Sequence, residues 1–334
     1  MSCLYPLNGY LSKVRNPTGK RSIVFSPREA LSLDHKVDLP CGKCINCRLK
    51  KSVEWAVRIT HQAQMSEHPN YFLTLTYDDD HLPYDECLHK EHLSQFTKKL
   101  RRKIEYRERN IPKEERTKIK TYGAGEYGER NGRPHFHIML LNCPVYDMDP
   151  WKKIRGNQYY LSETFKDCWV DGNNEPRGYH STTEANFQNA AYVARYVLKK
   201  RTAFKGADVK KKQWTQAAVD RHYEWTTRNG EILVRPPEDT MCTSKGIGRD
   251  WLESFRSDVY PSDEVIHKAR KYRPPKYYDY RHEQDYPEEM LKIKRRRKIK
   301  AKDALQKPQP PIKSREIIAN QTVGLLKRGL EPNI

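Results

Sequence analysis

Between residues 48 and 200 the apolar positions change period several times, and each change marks an element. Leu49, Val53, Ala56, Thr60 and Ala63 recur at helical spacing, which predicts an amphipathic helix over 48–65. Tyr71-Phe-Leu-Thr-Leu-Thr-Tyr77 is aromatic and β-branched and stops at three aspartates, the signature of a strand. Leu93, Phe96, Leu100 and Ile104 form the stripe of a second helix. Residues 119–127 and 135–141 read as two strands around a turn containing Gly, Asn and Pro. A short helix is expected near 160–169 and a longer one at 185–200. Residues 1–40 have no clear period beyond one short strand at Ser22–Phe25. The order α-β-α-β-β-(α)-α predicts an α+β domain, an antiparallel sheet with helices packed on one face.

Past residue 205 the pattern fades. Arg235-Pro-Pro237 and Arg273-Pro-Pro275 break it, and Lys292-Ile-Lys-Arg-Arg-Arg-Lys-Ile-Lys300 precedes Pro308, Pro310 and Pro311. We expect four parts: an N-terminal segment with the first helix (1–66), a core (67–205), an accessory or closing part (206–260), and a basic, extended or disordered tail (261–334).

Composition narrows the partners. The 334 residues are 36% hydrophobic and 32% charged, with a formal net charge of +20. One moderate core is affordable, and the charge points to a polyanion, nucleic acid first. No apolar run approaches the roughly 18 residues that span a bilayer, and the N-terminus lacks a signal-peptide core. The expected location is cytoplasmic, without a membrane partner.

His135 and His137 are two apart on a predicted strand, so both imidazoles leave one face while Phe136 points to the core. With Asn131-Gly132 as a two-residue turn, Arg130 pairs with Arg133, Glu129 with Pro134, and Glu126 with His137. Glu126 then joins the histidine face as a third ligand. Such a set leaves positions for water and a phosphate oxygen and suits Mg²⁺ or Mn²⁺. The bland alternative is two half-exposed histidines on a polar sheet face.

On the helix at 185–200, Ala190, Val193, Ala194 and Val197 form the apolar stripe. Tyr192, Tyr196 and Lys199 form another, away from it. A phenolate there can attack a phosphodiester and retain the 5′ phosphate as phosphotyrosine. Lys199, Arg195 and a metal would favour the charged phenol, whose ordinary pKa is about 10. Stacking on bases or covering a domain edge is the other use of such tyrosines.

Cys41, Cys44 and Cys47 crowd into one segment, unlike a disulfide framework. Structural zinc needs a fourth ligand. Cys3 is the candidate, with His35 and His61 as alternatives; iron–sulfur ligation and free thiols are the other readings. The zinc would pin the N-terminal segment against the first helix. Lys98, Lys99, Arg101, Arg102 and Lys103 on the second helix, with Arg195, Lys200 and Arg201, are candidates to line a phosphate track. A solvated helix face is the plain reading of such runs.

Phe72-Leu-Thr-Leu-Thr-Tyr77, Pro134-His-Phe-His137 and Tyr192-Val-Ala-Arg-Tyr196 resemble, in order, the three motifs of HUH rolling-circle initiators. The details resemble the gokushovirus branch of the microviruses, small single-stranded-DNA bacteriophages, through Pro40-Cys-Gly-Lys-Cys-Ile-Asn-Cys-Arg48, Thr74-Leu-Thr-Tyr-Asp-Asp79 and Gly246-Ile-Gly248. The resemblance covers roughly 38–255. It implies a nicking and joining endonuclease using Mg²⁺ or Mn²⁺, a sheet of about five antiparallel strands with the histidines central, and expression inside a bacterial host. Single-stranded and origin DNA, with the host's helicase and polymerase, are the partners it implies. Many relatives carry Lys at the position of Arg195, and an arginine stays protonated. Lys199 is therefore the better proton carrier. The rival readings are an origin-binding protein without catalysis and a related HUH transposase or relaxase.

Overall fold

The computed structural model describes residues 3–17, 19–34, 36–128, 131–154, 156–199, 223–236, 241–306, 308 and 310–326. The chain divides into two compact units, one of residues 1–51 with 307–329 and one of 52–306 with 330–334.

In the first unit, β1 (Leu7–Arg15) pairs antiparallel with β2 (Arg21–Val24) on one side and β3 (Val37–Leu39) on the other. The strand expected at 22–25 is β2, whereas β1 was not legible because only Gly9 along it is buried. The unit's apolar core is small: Leu4, Ile45, Leu49 and Ala319.

The helix α1 (Ile45–Gln64) runs from the first unit into the second. There, seven strands make one antiparallel sheet. β4 (Tyr71–Tyr77), β5 (Lys120–Tyr127), β6 (Pro134–Leu141), β7 (Asp149–Ile154), β8 (Asn157–Leu161), β9 (Gly178–Glu184) and, past the hairpin of β10 (Glu224–Thr226) and β11 (Ile232–Val234), β12 (Met241–Thr243) lie in the order β12-β5-β6-β4-β9-β8-β7. The sheet class matches the sequence pattern, and two more strands are present than expected. Part of the segment expected to be helical at 160–169 is strand β8, followed by a single turn, α3 (Glu163–Lys166).

Helices cover both faces, not one. On one face α2 (Lys90–Arg107) lays Leu93, Phe96, Leu100 and Ile104 on Leu73, Leu75, Phe136 and Ile138. On the other, Ala56 and Ile59 of α1 and residues 190–194 of α4 (Phe187–Lys199) meet Phe72, Tyr122 and Met139. Both faces of the central strands are therefore buried, so the alternation that marks a one-sided sheet is weak.

The region from 261 onward differs from the extended tail that its prolines and basic run suggested. Helices span Lys276–Asp285, Pro287–Gln306 and Ile312–Leu326. Pro287 starts a helix, where its missing N–H costs nothing. Within the basic run Met290 and Ile293 are fully buried with Val259, Tyr260 and Tyr278. Arg297 is anchored by Asp263 and Asp279, with Nη1 donating to Asp279 Oδ2 at 2.6 Å. The run is thus partly a packed helix face. Among the described residues no helix is long and apolar enough to cross a membrane.

Candidate metal centre and tyrosine helix

The centre is built on adjacent strands. β6 pairs with β5 so that Glu126 faces His135 and Ala124 faces His137. The expected pairing of Glu126 with His137 is therefore displaced by two residues. The turn is longer than Asn131-Gly132: Gly128 N–H donates to Arg133 O at 3.0 Å, and Gly132 N–H to Gly128 O at 3.0 Å. Glu129 and Arg130, assigned partners in the shorter turn, lie outside the described residues. A two-residue shift preserves the face, because side chains alternate with period two. Glu126 consequently keeps its expected place beside both rings.

Its Oε2 lies 3.6 Å from His137 Nε2 and 3.9 Å from His135 Nε2. All three residues are buried. The other ring nitrogens have partners of their own. His135 Nδ1–H donates to Arg133 O at 3.1 Å, and His137 Nδ1 bonds Thr74 Oγ1 at 3.0 Å. The bond to the carbonyl fixes the His135 tautomer, with the Nε2 lone pair toward Glu126. One carboxylate and two imidazole nitrogens thus converge as a group that can hold a metal. Thr74 was not singled out in the sequence, though the alternation of Phe72, Thr74 and Thr76 opposite Leu73 and Leu75 carried that signal.

The turn of this hairpin is held by a second one. Arg235, on the end of β11, donates from Nη1 to Gly132 O at 2.7 Å and from Nη2 to Glu86 Oε2 at 3.1 Å. Its guanidinium lies 3.8 Å from the Trp225 ring centroid and 4.8 Å from that of Tyr127. Glu86 also accepts from Trp225 Nε1 and Arg228 N. Burial opposes its ionisation, but those N–H groups and the Arg235 charge hold its carboxyl below the usual range. Arg133 Nη1 donates to Tyr77 O at 2.8 Å and adds a third tie.

Tyr192 is not on the exposed stripe that the helical wheel assigned to it. It is 5% exposed and belongs to the core cluster with Ala190, Ala191, Val193 and Ala194. Its ring stands edge-on to His137 at 5.4 Å and to Phe72 at 6.2 Å, while Phe72 stacks on His137 at 5.4 Å. Residues 189–194 of α4 are all buried, a run that turns through every side of the helix, so one stripe could not mark the core. Arg195, Tyr196 and Lys199 fall in α4, but their side chains lie outside the described residues; Lys200 and Arg201 lie outside them altogether.

The basic residues of α2 occupy the opposite sheet face from the histidines, since that helix packs on Phe136 and Ile138. Lys99 Nζ bonds Asn174 Oδ1 at 2.8 Å, Lys103 pairs with Asp167 at 2.5 Å, and Arg101 donates to Thr121 and Ser244. Lys98 and Arg102 are exposed. Gly246-Ile-Gly248 packs under α1: Arg58 Nε donates to Ile247 O at 3.0 Å, and Gln62 Oε1 accepts from Gly248 N at 3.0 Å. Gly248, at φ +78°, has Arg58 backbone and the Tyr278 hydroxyl where a Cβ would stand.

In the first unit Cys3, Cys41, Cys44 and Cys47 form a second group that can hold a metal, their sulfurs within 4.8 Å of one another. Cys3 is the fourth member; His61, an alternative ligand, is instead buried against Trp251 and bonded to the Tyr278 hydroxyl at 2.9 Å. His35 lies outside the described residues.

A sheet carrying a buried histidine pair, with a tyrosine helix against it, defines a class with the fold and site expected of rolling-circle initiators. The family model for the phage replication-associated protein ORF2 matches residues 70–201, which contain the whole centre. The chain is 30% identical over 281 residues to replication-associated protein ORF2 of Spiroplasma virus 4, covering 80% of this chain and 75% of the relative. It is 31% identical over 305 residues to replication-associated protein VP4 of Bdellovibrio phage phiMH2K, covering 91% and 84%. A third relative, replication-associated protein ORF4 of Chlamydia phage 1, is 29% identical over 245 residues, covering 72% and 52%. The chain belongs to this family of phage replication-associated proteins. No solved structure matches it.

Proposed function

We propose that this protein initiates replication by nicking single-stranded origin DNA through a tyrosine and later rejoining the strand. The observation that carries the reading is the convergence of Glu126, His135 and His137, with the Tyr192 ring edge-on to His137 at 5.4 Å. The relatives' role in replication supports the choice of DNA as substrate.

Glu126 and the Nε2 atoms of His135 and His137 would hold the cation. Two imidazoles and one carboxylate with room for oxygen ligands suit Mn²⁺ or Mg²⁺. When bound, it supplies polarisation of the scissile phosphate. The Thr74 and Arg133 bonds keep both rings aimed and neutral. A phenolate oxygen on α4 attacks phosphorus, the P–O3′ bond breaks, and the departing 3′ oxygen takes a proton. The 5′ phosphate stays on tyrosine, so the energy of the broken diester is retained for rejoining without ATP. Burial of Tyr192 favours Tyr196, one helical turn later, for the first attack. Tyr192 then receives the strand in the second transfer. Lys199 stabilises the phenolate and carries the proton. The four thiols hold a structural zinc ion and take no part in this chemistry. Unwinding and synthesis come from the helicase and polymerase of the bacterial host, in whose cytoplasm the reaction runs.

The test is incubation of the full chain with Mn²⁺ and tiled single-stranded oligonucleotides from the genome that encodes it. A detergent-resistant protein–DNA adduct mapping to Tyr196 or Tyr192, lost in Glu126→Gln and His137→Ala, is expected. Binding to one oligonucleotide with no adduct on any would leave an origin-binding protein without catalysis and sink the proposal.

A further inference from the structure

The first unit poses a physical problem. Its fully buried apolar cluster consists of Leu4, Ile45, Leu49 and Ala319, and its three strands bury one glycine among them. Leu11, Val14, Phe25, Leu31 and Leu33 are exposed. So small a core does not offset the conformational entropy of the segments it orders, and units of this kind rely on a metal or a cross-link. All eight cysteines are free, so no disulfide serves.

The thiols are arranged for a metal. Cys3 Sγ and Cys44 Sγ stand 3.8 Å apart. A tetrahedral zinc with Zn–S bonds of about 2.3 Å has sulfurs about 3.8 Å apart. Backbone N–H groups also point at sulfur: Cys41 N to Cys3 Sγ at 3.3 Å, Cys44 N to Cys41 Sγ at 3.2 Å, and Leu4 N to Cys44 Sγ at 3.5 Å. Such donors stabilise sulfur in its thiolate form. Cys47 sits in the first turn of α1, where the helix end favours negative charge.

The residues beside these ligands touch a distant segment. Leu4 and the helix residues Ile45 and Leu49 pack with Ala319, and the Tyr5 hydroxyl donates to Glu316 Oε2 at 2.9 Å. Both Ala319 and Glu316 belong to the helix Ile312–Leu326. The ligands fix Leu4 and Ile45 in the positions that this helix needs.

We infer that Cys3, Cys41, Cys44 and Cys47 form a tetrathiolate zinc centre on which the fold of the first unit depends, so that metal loss releases the helix 312–326 while the seven-stranded sheet persists. The inference rests on the structural-zinc reading of the thiols and is independent of the tyrosine chemistry. Binding is balanced by release of the thiol protons to solvent.

Zinc content is measured on the full chain purified without added metal, with Co²⁺ exchanged into it as a spectroscopic probe. The expected result is one thiolate-bound metal per chain, with the intense visible and sulfur-to-cobalt charge-transfer bands of a tetrahedral thiolate site. These bands vanish in Cys41→Ser/Cys44→Ser and survive His135→Ala/His137→Ala. Hydrogen exchange is then followed on the wild-type chain before and after chelation, so the outcome does not depend on a variant folding. Amides of 41–49 and 312–322 should lose protection at least tenfold, those of β4, β5 and β6 should not, and added Zn²⁺ should restore the first set. Absence of thiolate bands would overturn the site itself. Thiolate-bound metal with unchanged protection at 312–322 would overturn the dependence while leaving the site standing.

Discussion

Replacing Arg235 with leucine tests whether the hairpin that carries the metal ligands is braced from outside the sheet. Arg235 is 3% exposed and Glu86 7%, so the substitution leaves a buried carboxylate without its cation. Breaking a buried pair costs about 3–5 kcal/mol. Glu86 keeps the N–H bonds from Trp225 and Arg228, which favours the lower end of that range. The lost stacking on Trp225 adds about 0.5–1 kcal/mol. A local loss of about 3 kcal/mol corresponds to roughly a hundredfold faster opening. Hydrogen exchange should therefore accelerate about that much in Arg235→Leu, in residues 223–236 and around the turn at 128–133. Glu86→Gln with Arg235→Leu should recover more than half of the loss, because no charge is left buried. Exchange within threefold of wild type in Arg235→Leu would refute the bracing argument; strict additivity of the two single effects would refute the pairing.

Other outcomes follow from the same geometry. Thr74→Val removes the partner of His137 Nδ1 at nearly constant volume, and Mn²⁺ affinity measured by calorimetry should fall about 10–100-fold while the unfolding midpoint hardly moves. Burial lowers His61 to about 3, against about 6.5 in the unfolded chain. Between those values the unfolded state binds the extra proton, so stability falls as pH drops from 6.5 toward 3; His61→Gln should flatten that slope in urea titrations, and an unchanged slope would count against it. Because α2 lies on the sheet face away from the histidines, Lys98→Ala/Arg102→Ala should leave the salt dependence of single-strand binding unaltered; a slope reduced by about 0.7 per residue would show that DNA reaches that face. Tyr196→Phe should abolish the first adduct on the proposed reaction, whereas Tyr192→Phe should permit nicking and block strand transfer, as read on denaturing gels.

The sequence by itself determined the elements with a clean period and the chemistry carried by spacing. Strand β4 falls at the residues its aromatic and β-branched run marked out, and the stripe of α2 is the stripe that is buried. Two histidines separated by one residue had to share a face, and Glu126 joined them even though the turn is longer than Asn131-Gly132 suggested. An even shift leaves the face unchanged, which is why that inference survived an incorrect register. Cys3 could be named as the fourth thiol because it shares the N-terminal segment of the other three. What only the tertiary structure decided depends on the second neighbour of each element. Polar β9 is a central strand because its Ser181 and Thr182 are covered, which no local pattern announces. Tyr192 is core because α4 is enclosed along residues 189–194, and the basic run at 292–300 is a packed helix because Met290 and Ile293 find Tyr278. Arg235, more than a hundred positions beyond Gly132, reaches its carbonyl only through the hairpin of β10 and β11. Periodicity reports how a segment divides its own surface between core and water; which partner covers that surface is set by segments far away in the chain.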